Sequence, residues 1–254
     1  MQPGFIDGYG ATRLAIHRLV GPNGSEGRPV LLLHGLFSSA QVNWIKYGTA
    51  ARLAEAGFEA IMPDLRAHGA SDAPHDPAAY PADVLVKDAL ALVQGLGLTD
   101  YDLVGFSLGA RTAVQAVIAG LTPRRLVLGG MGLEGLSGWT RRSDHFIDAI
   151  DRFGTIERSD PAFVAQAFMK TMQVDRVATR LLLQSVCDTP LEALAAVTMP
   201  TLVVCGADDG DNGSAPALSD ALPDGRYAEV PGNHMSSVTQ PQFGAAIAGF
   251  LHKH

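Results

Sequence analysis

Apolar residues fall into two alternating rhythms along this chain. Short runs dense in Val, Leu and Ile recur between longer segments whose apolar positions return every three or four residues. The runs predict strands at Arg13 to Leu19, Val30 to Leu33, Phe58 to Pro63, Tyr101 to Gly105, Arg125 to Gly129, Thr201 to Gly206 and Arg226 to Val230. The longer segments predict helices over Val42 to Ala56, Ala82 to Leu96, Leu108 to Ala119, Ala215 to Leu222 and Pro241 to Leu251, with Gly and Pro at their boundaries. Continuously apolar strands are buried on both faces, so the alternation implies an α/β fold: a mostly parallel central sheet with helices on both faces. The first strand is expected at an antiparallel edge.

From about Leu133 to Val197 the rhythm fails. No strand pattern occurs there, only helical patterns separated by Gly154, Asp160-Pro161 and Thr189-Pro190. Phe146, Ile150 and Phe153 share one helical face, and Val164, Phe168 and Met172 share the next. An apolar stripe on an inserted element must pack somewhere, either as a small core of its own or over the strand ends. The second option predicts a helical lid at 133–197 over a core formed by 1–132 and 198–254. A pocket beneath it is expected to be lined by Phe37, Phe106, Trp139, Phe146, Phe168 and Met172.

Composition narrows the function classes. A chain of 254 residues, 47% hydrophobic and 18% charged, suits one large globular domain or one domain with an insertion. A net charge of -7 offers no basic field for nucleic acid or an anionic membrane. Cys187 and Cys205 are too few for a disulfide scaffold or a Cys-rich metal site and read as core thiols. The opening Met-Gln-Pro-Gly-Phe lacks signal-peptide character and no apolar run reaches membrane-spanning length, so a cytoplasmic monomer or homodimer acting on a small molecule is expected.

The chemistry starts at Gly105-Phe106-Ser107-Leu108-Gly109, where a predicted strand gives way to a predicted helix. So tight a turn strains its central residue and tolerates only small flanking residues, and the strain lifts the Ser107 hydroxyl clear of the sheet. A serine hydroxyl needs a base to take its proton, and that base needs an acid to fix its tautomer. In a parallel sheet such groups gather at the carboxyl ends of strands. Ala207-Asp208-Asp209-Gly210-Asp211 follows one such strand and Pro231-Gly232-Asn233-His234 follows the next. His234 is the expected base, with either Asp209 or Asp208 as the acid.

In the order Ser, Asp, His the chain resembles the α/β-hydrolase fold superfamily, in particular its small lidded serine esterases. His34-Gly35-Leu36-Phe37 with Asn43-Trp44 resembles the family's oxyanion segment. Asp64-Leu65-Arg66-Ala67-His68-Gly69-Ala70-Ser71 resembles its Asp-x-Arg-Gly-His-Gly-x-Ser turn, and Pro231 to Leu251 its closing segment. Departures are Ser38 and Ala67, where Gly is usual. The resemblance implies the lid after the sixth strand of that fold. It implies Asp209 as the acid, three residues after the strand-ending Gly206, and an oxyanion hole formed by the N–H groups of Leu36 and Leu108, with Phe37 replacing Leu36 if the loop is displaced by one. Relatives that open epoxides or displace halide carry Asp at the position of Ser107, so those activities are disfavoured. A carboxylesterase-like hydrolase of esters of small to medium apolar acids is expected. Carbon–carbon hydrolysis of a dienoic ketoacid, lactone hydrolysis and perhydrolysis would use the same triad, and a non-catalytic ligand receptor is the rival from another class.

Other residues read as structural. His34 and His68 are expected to hold the two turns, Asp64 to pair with Arg66, and His17, His75, His145, His252 and His254 to lie at the surface. Arg141, Arg142, Arg152 and Arg158 read as solvated helix charge, although they could receive a substrate carboxylate. No cofactor is expected and no metal: a His-x-x-x-His pair and a Gly-Lys-Ser phosphate loop are absent, and Asp208, Asp209 and Asp211 lack the downstream Glu of a calcium loop.

Overall fold

The computed structural model describes residues 2–21 and 27–252. Strands β1 (Gly4–Asp7), β2 (Arg13–Leu19), β3 (Arg28–Leu33), β4 (Phe58–Pro63), β5 (Asp102–Phe106), β6 (Leu126–Gly129), β7 (Thr201–Gly206) and β8 (Gly225–Val230) form one sheet in the order β1-β2-β4-β3-β5-β6-β7-β8. The pairs β1–β2 and β2–β4 are antiparallel and all others parallel. Helices α1 (Thr49–Glu55), α2 (Val84–Gly95) and α3 (Leu108–Ile118) precede β6; α4 (Leu133–Ser137), α5 (Trp139–Asp151), α6 (Phe163–Thr171) and α7 (Arg176–Ser185) lie between β6 and β7. Helices α8 (Ala215–Ala221), α9 (His234–Ser237) and α10 (Pro241–His252) complete the chain.

The period of two along each strand separates two cores. Leu31 and Leu33 of β3 join Leu103, Leu126 and Leu128 under α2 and α3, whereas Val30 and Leu32 join Val104, Val127 and Val204 under α1 and α10. Burial on both faces is why these strands read as unbroken apolar runs. The first core continues without interruption into Leu136, Trp139, Ile150, Leu182 and Leu183, so the helical segment between β6 and β7 packs on the α2–α3 face and does not close a core of its own.

Local departures from the expected elements have identifiable causes. Strand β1 lies outside the predicted set, since Gly-Phe-Ile-Asp is short and mostly exposed; by pairing with β2 it takes the edge, so the strand expected there, β2, is antiparallel but internal. The helix expected from Val42 is instead a π-helical turn, Gln41–Ile45, separated from α1 by Gly48 in the left-handed region. Cys205 is buried as expected, but Cys187 is exposed, because it follows the end of α7 at the surface. Among the described residues no helix is long and apolar enough to cross a membrane.

Candidate active site

Ser107 stands at the junction of β5 and α3 with φ 51° and ψ -114°, a strained conformation for a residue with a side chain. The flanking glycines make that junction possible. A Cβ on Gly105 would overlap the Gly109 carbonyl, and one on Gly109 would overlap that of Leu33. The Ser107 amide donates to the Gly129 carbonyl at 2.8 Å, which ties the turn to β6.

Two adjacent loops bring the partners. After β8, Gly232 at φ +102° turns the chain and Asn233 caps α9, its Oδ1 accepting from the amides of Met235 and Ser236 while Ser236 Oγ accepts from the Asn233 amide. This fixes His234 at the first helical position. After β7, the Asp208 amide donates to Gly232 and the Asp209 amide to Gly206. Asp208 is exposed to solvent, while the buried Asp209 carboxylate accepts from His234 Nδ1, with Oδ2 at 3.0 Å and Oδ1 at 3.2 Å. A carboxylate can only accept, so Nδ1 carries the proton and Nε2 is left as an acceptor. It lies 3.1 Å from Ser107 Oγ. Of the two aspartates that the sequence leaves open, the structure brings Asp209 to the histidine. The Phe106 ring packs 5.1 Å from the imidazole.

The loop after β3 faces this array. Its Gly35 amide donates to Asn43 Oδ1 at 2.9 Å and its Phe37 amide to His68 Nε2 at 3.0 Å, with Phe37 itself at φ +57°. Neither the Leu36 amide nor the Leu108 amide at the start of α3 has an acceptor among the described residues. Phe37 therefore cannot offer the donor, since His68 already engages its N–H. The helix dipole adds positive potential at Leu108.

Both turn histidines are neutral supports. His34 Nδ1 donates to the Gly35 carbonyl and Nε2 accepts from the Leu65 amide; His68 Nδ1 donates to the Arg66 carbonyl. Burial pushes the His34 pKa down, and burial with the neighbouring His34 takes His68 to about 3. Asp64 does not pair with Arg66. Its carboxylate accepts from the Ala40 and Ala70 amides and from His17 Nε2, while Arg66 is buried in a fork on Asp88 at 2.9 and 2.7 Å. With Asp64 occupied by the Ala40 and Ala70 amides and His17, Arg66 reaches Asp88 on α2, and the carbonyls of Ala79 and Tyr9 complete its contacts. His17 is correspondingly half-buried and not a surface residue. Ala67 lies at φ +64°, which is why Gly is usual there. His75 is exposed beside Asp175, His252 is exposed, and His254 lies outside the described residues.

These groups open into a cavity of about 650 Å³. Phe37, Phe106, Trp139, Phe146 and Phe168 line it, the Phe37 and Phe146 rings meeting edge to face at 5.5 Å. Met172 does not. Helix α6 ends at Thr171 and the chain turns through Gln173 at φ +52°, so Met172 faces a separate cavity of about 100 Å³ beside His68 and Val174. Sequence reasoning missed Tyr47, Met235 and Val238, which also line the main cavity; their proximity to the Asn43-Trp44 and His234 motifs was the available signal. Arg141, Arg142 and His145 line it too, whereas Arg152 turns away to Asp148 and Asp160.

Asp209, Asp211 and His234 have ligand atoms within 4.8 Å of one another and are a grouping among the described residues that could hold a cation. A cation there would compete for the atoms that join Asp209 to His234, so one arrangement excludes the other.

Fold and motifs agree with what the comparisons return. The chain has the α/β-hydrolase fold, and residues 28–126, from β3 to the start of β6, match the family model described as alpha/beta hydrolase fold. An esterase from Exiguobacterium antarcticum superimposes with a TM-score of 0.79 over 99% of this chain and 100% of that one, at 20% identity. Among curated proteins, epoxide hydrolase 2 of Siraitia grosvenorii is 39% identical over 88 residues, 35% of this chain and 27% of that protein. N-formylmaleamate deformylase of Pseudomonas putida is 34% identical over 106 residues, 41% of this chain and 38% of that protein. The matched stretches thus span well under half of these relatives.

Proposed function

We propose that this protein is a serine hydrolase of the carboxylesterase type, acting on an ester with a small to medium, largely apolar acyl group. The observation that carries the reading is the continuous relay from Asp209 through His234 to Ser107, with contacts of 3.0 and 3.1 Å, at the floor of the aromatic cavity. Ser107 Oγ adds to the ester carbonyl carbon as its proton passes to His234 Nε2. The carbonyl oxygen becomes an oxyanion facing the Leu36 and Leu108 amides. Collapse of this intermediate breaks the bond to the alcohol oxygen, which takes the proton from His234 and leaves an acyl-serine. A water then loses a proton to His234 and adds to the acyl carbon; collapse returns that proton to Ser107 Oγ and releases the acid.

Similarity to an epoxide hydrolase covers 88 residues, 35% of this chain. A serine at the elbow supports acyl transfer over epoxide opening, and similarity to solved esterases is in keeping with that choice. In this reading 133–197 is a lid on a core made of 1–132 and 198–254, the substrate is a small molecule, and no cofactor is used. A fluorophosphonate probe tests the core of the reading: the wild type should be labelled covalently and Ser107→Ala should not. A folded wild type that resists the probe would overturn it and favour a ligand receptor.

A further inference from the structure

Four of the six arginines of the helical segment fall into two sets. Arg152 and Arg180 face away from the cavity and are ion-paired, to Asp148 and Asp160 and to Asp151 respectively. Arg141 and Arg142 line the cavity, and neither has a carboxylate partner among the described residues. Arg142 is half-buried. Its Cζ sits 5.7 Å from the centre of the Phe146 ring, its Nη1 donates to the Asp211 carbonyl, and its buried Nε has no acceptor. Leaving a guanidinium N–H dry and unpaired is costly, so protein groups alone do not fully satisfy Arg142 where it stands.

The charges facing this pair are few. His145 stands on the same wall, and Asp211 is the one carboxylate among the residues lining the cavity; Asp209 is turned to His234. In a chain of net charge -7, this wall carries two arginines, with Asp211 and Asp209 as the carboxylates that act on Arg142. Burial lowers the Arg142 pKa, and Asp211 and Asp209 oppose that shift. Phe146 lies between Arg142 and Phe37, which follows the oxyanion amide of Leu36. A chain laid along those two rings from the carbonyl site ends at the arginines.

We infer that the substrate is a half-ester of a dicarboxylic acid, its scissile carbonyl at Ser107, its methylene chain on Phe37 and Phe146, and its free carboxylate on Arg141 and Arg142. This rests on the hydrolase reading and specifies its substrate class. The test compares 4-nitrophenyl hydrogen adipate with its methyl ester, which has the same skeleton without the charge, by release of 4-nitrophenolate from the full chain near neutral pH. The wild type should favour the acid in kcat/KM by about tenfold or more, the range expected for a charge-assisted contact. That ratio should fall towards unity in Arg141→Gln and in Arg142→Lys, and should persist in Arg158→Gln, whose side chain is exposed outside the cavity. Arg141 is exposed, so its variant keeps the test valid even if Arg142→Lys disturbs the Asp211 loop. Turnover of the methyl ester with no preference for the acid, or a preference unchanged in both pocket variants, overturns this inference alone. Absence of turnover together with absence of fluorophosphonate labelling overturns the hydrolase reading and this inference with it.

Discussion

The strand-end loops and the helical segment above them are held by different forces. In the loops, Asn43, Asp64, His34 and His68 each bind backbone amides, and Arg66 reaches Asp88 across the turn. Every one of these contacts joins residues that are close in space and set by directional hydrogen bonds. The helical segment relies on apolar packing and on exposed ion pairs such as Arg152 with Asp148 and Arg180 with Asp151. Buried polar atoms without partners occur in both, at Ser38 Oγ, Trp44 Nε1 and Asn212 Oδ1 in the loops and at Trp139 Nε1, Thr179 Oγ1 and Arg142 Nε in the helical segment. In the proposed reading, the reacting groups sit on the first kind of support and the substrate wall on the second.

The largest effect that would break this contrast concerns the acid. Asp209→Asn keeps the size of the side chain but offers His234 Nδ1 a donor as readily as an acceptor, which frees the wrong tautomer. Turnover of any ester that the wild type hydrolyses should drop by about four orders of magnitude. Asp208→Asn, at an exposed residue whose structural contact is through its backbone amide, should stay near the wild type. Measured kcat/KM for the two variants decides the matter, and equal losses would show that the directional placement of Asp209 is not what counts.

Next in size is a comparison of glycines. Gly109→Ala drives a methyl group into the Leu33 carbonyl, where neither strand nor helix can yield. A loss of about 3 kcal/mol or more is expected in denaturant unfolding. Gly154 lies in the helical segment at φ +95°, and a methyl group there would meet nothing within 4 Å. Gly154→Ala should cost only the left-handed backbone strain, about 1–2 kcal/mol. Similar costs at the two sites would erase the distinction between a rigid elbow and a forgiving segment.

How much of this was legible in the sequence follows the same division. The elbow sequence, the strand-end placement of Ser107 and His234, and seven of the strands could be read because each depends on local residue chemistry: glycine where backbones touch, unbroken apolar runs where both faces are buried, a turn after each strand; Asp209 rather than Asp208 came only from the resemblance. Long-range partners could not. Nothing near Arg66 announces that its carboxylate comes from Asp88 on α2, and Asp64 next to it made the wrong pairing attractive. Met172 failed for a related reason: its amide still bonds the Phe168 carbonyl in the last turn of α6, but one turn beyond Phe168 the neighbours are His68 and Val174 of a separate cavity, which spacing cannot reveal. Arg141 and Arg142 were indistinguishable from Arg152 in sequence, since all lie on the polar α5 or at its end and only packing decides which faces the cavity.

The smallest and most graded effect is the response of the loops to acid. His68 is buried and neutral, accepting from Phe37 through Nε2, with a folded pKa of about 3 against about 6.5 when unfolded. Between those values the unfolded chain binds a proton that the folded one does not, so protons favour unfolding there. Stability from this group is fully present above pH ~6.5 and is lost as pH falls towards 3, at up to roughly 1.4 kcal/mol per pH unit. His34 has the same sign, its pKa also lowered by burial. Unfolding free energy measured by urea titration should therefore decline steadily below neutral pH. His68→Gln retains an acceptor for the Phe37 amide but has no proton to gain, so it should be less stable at neutral pH yet show a shallower slope in acid. A slope unchanged by the substitution would mean that the acid response comes from outside these loops.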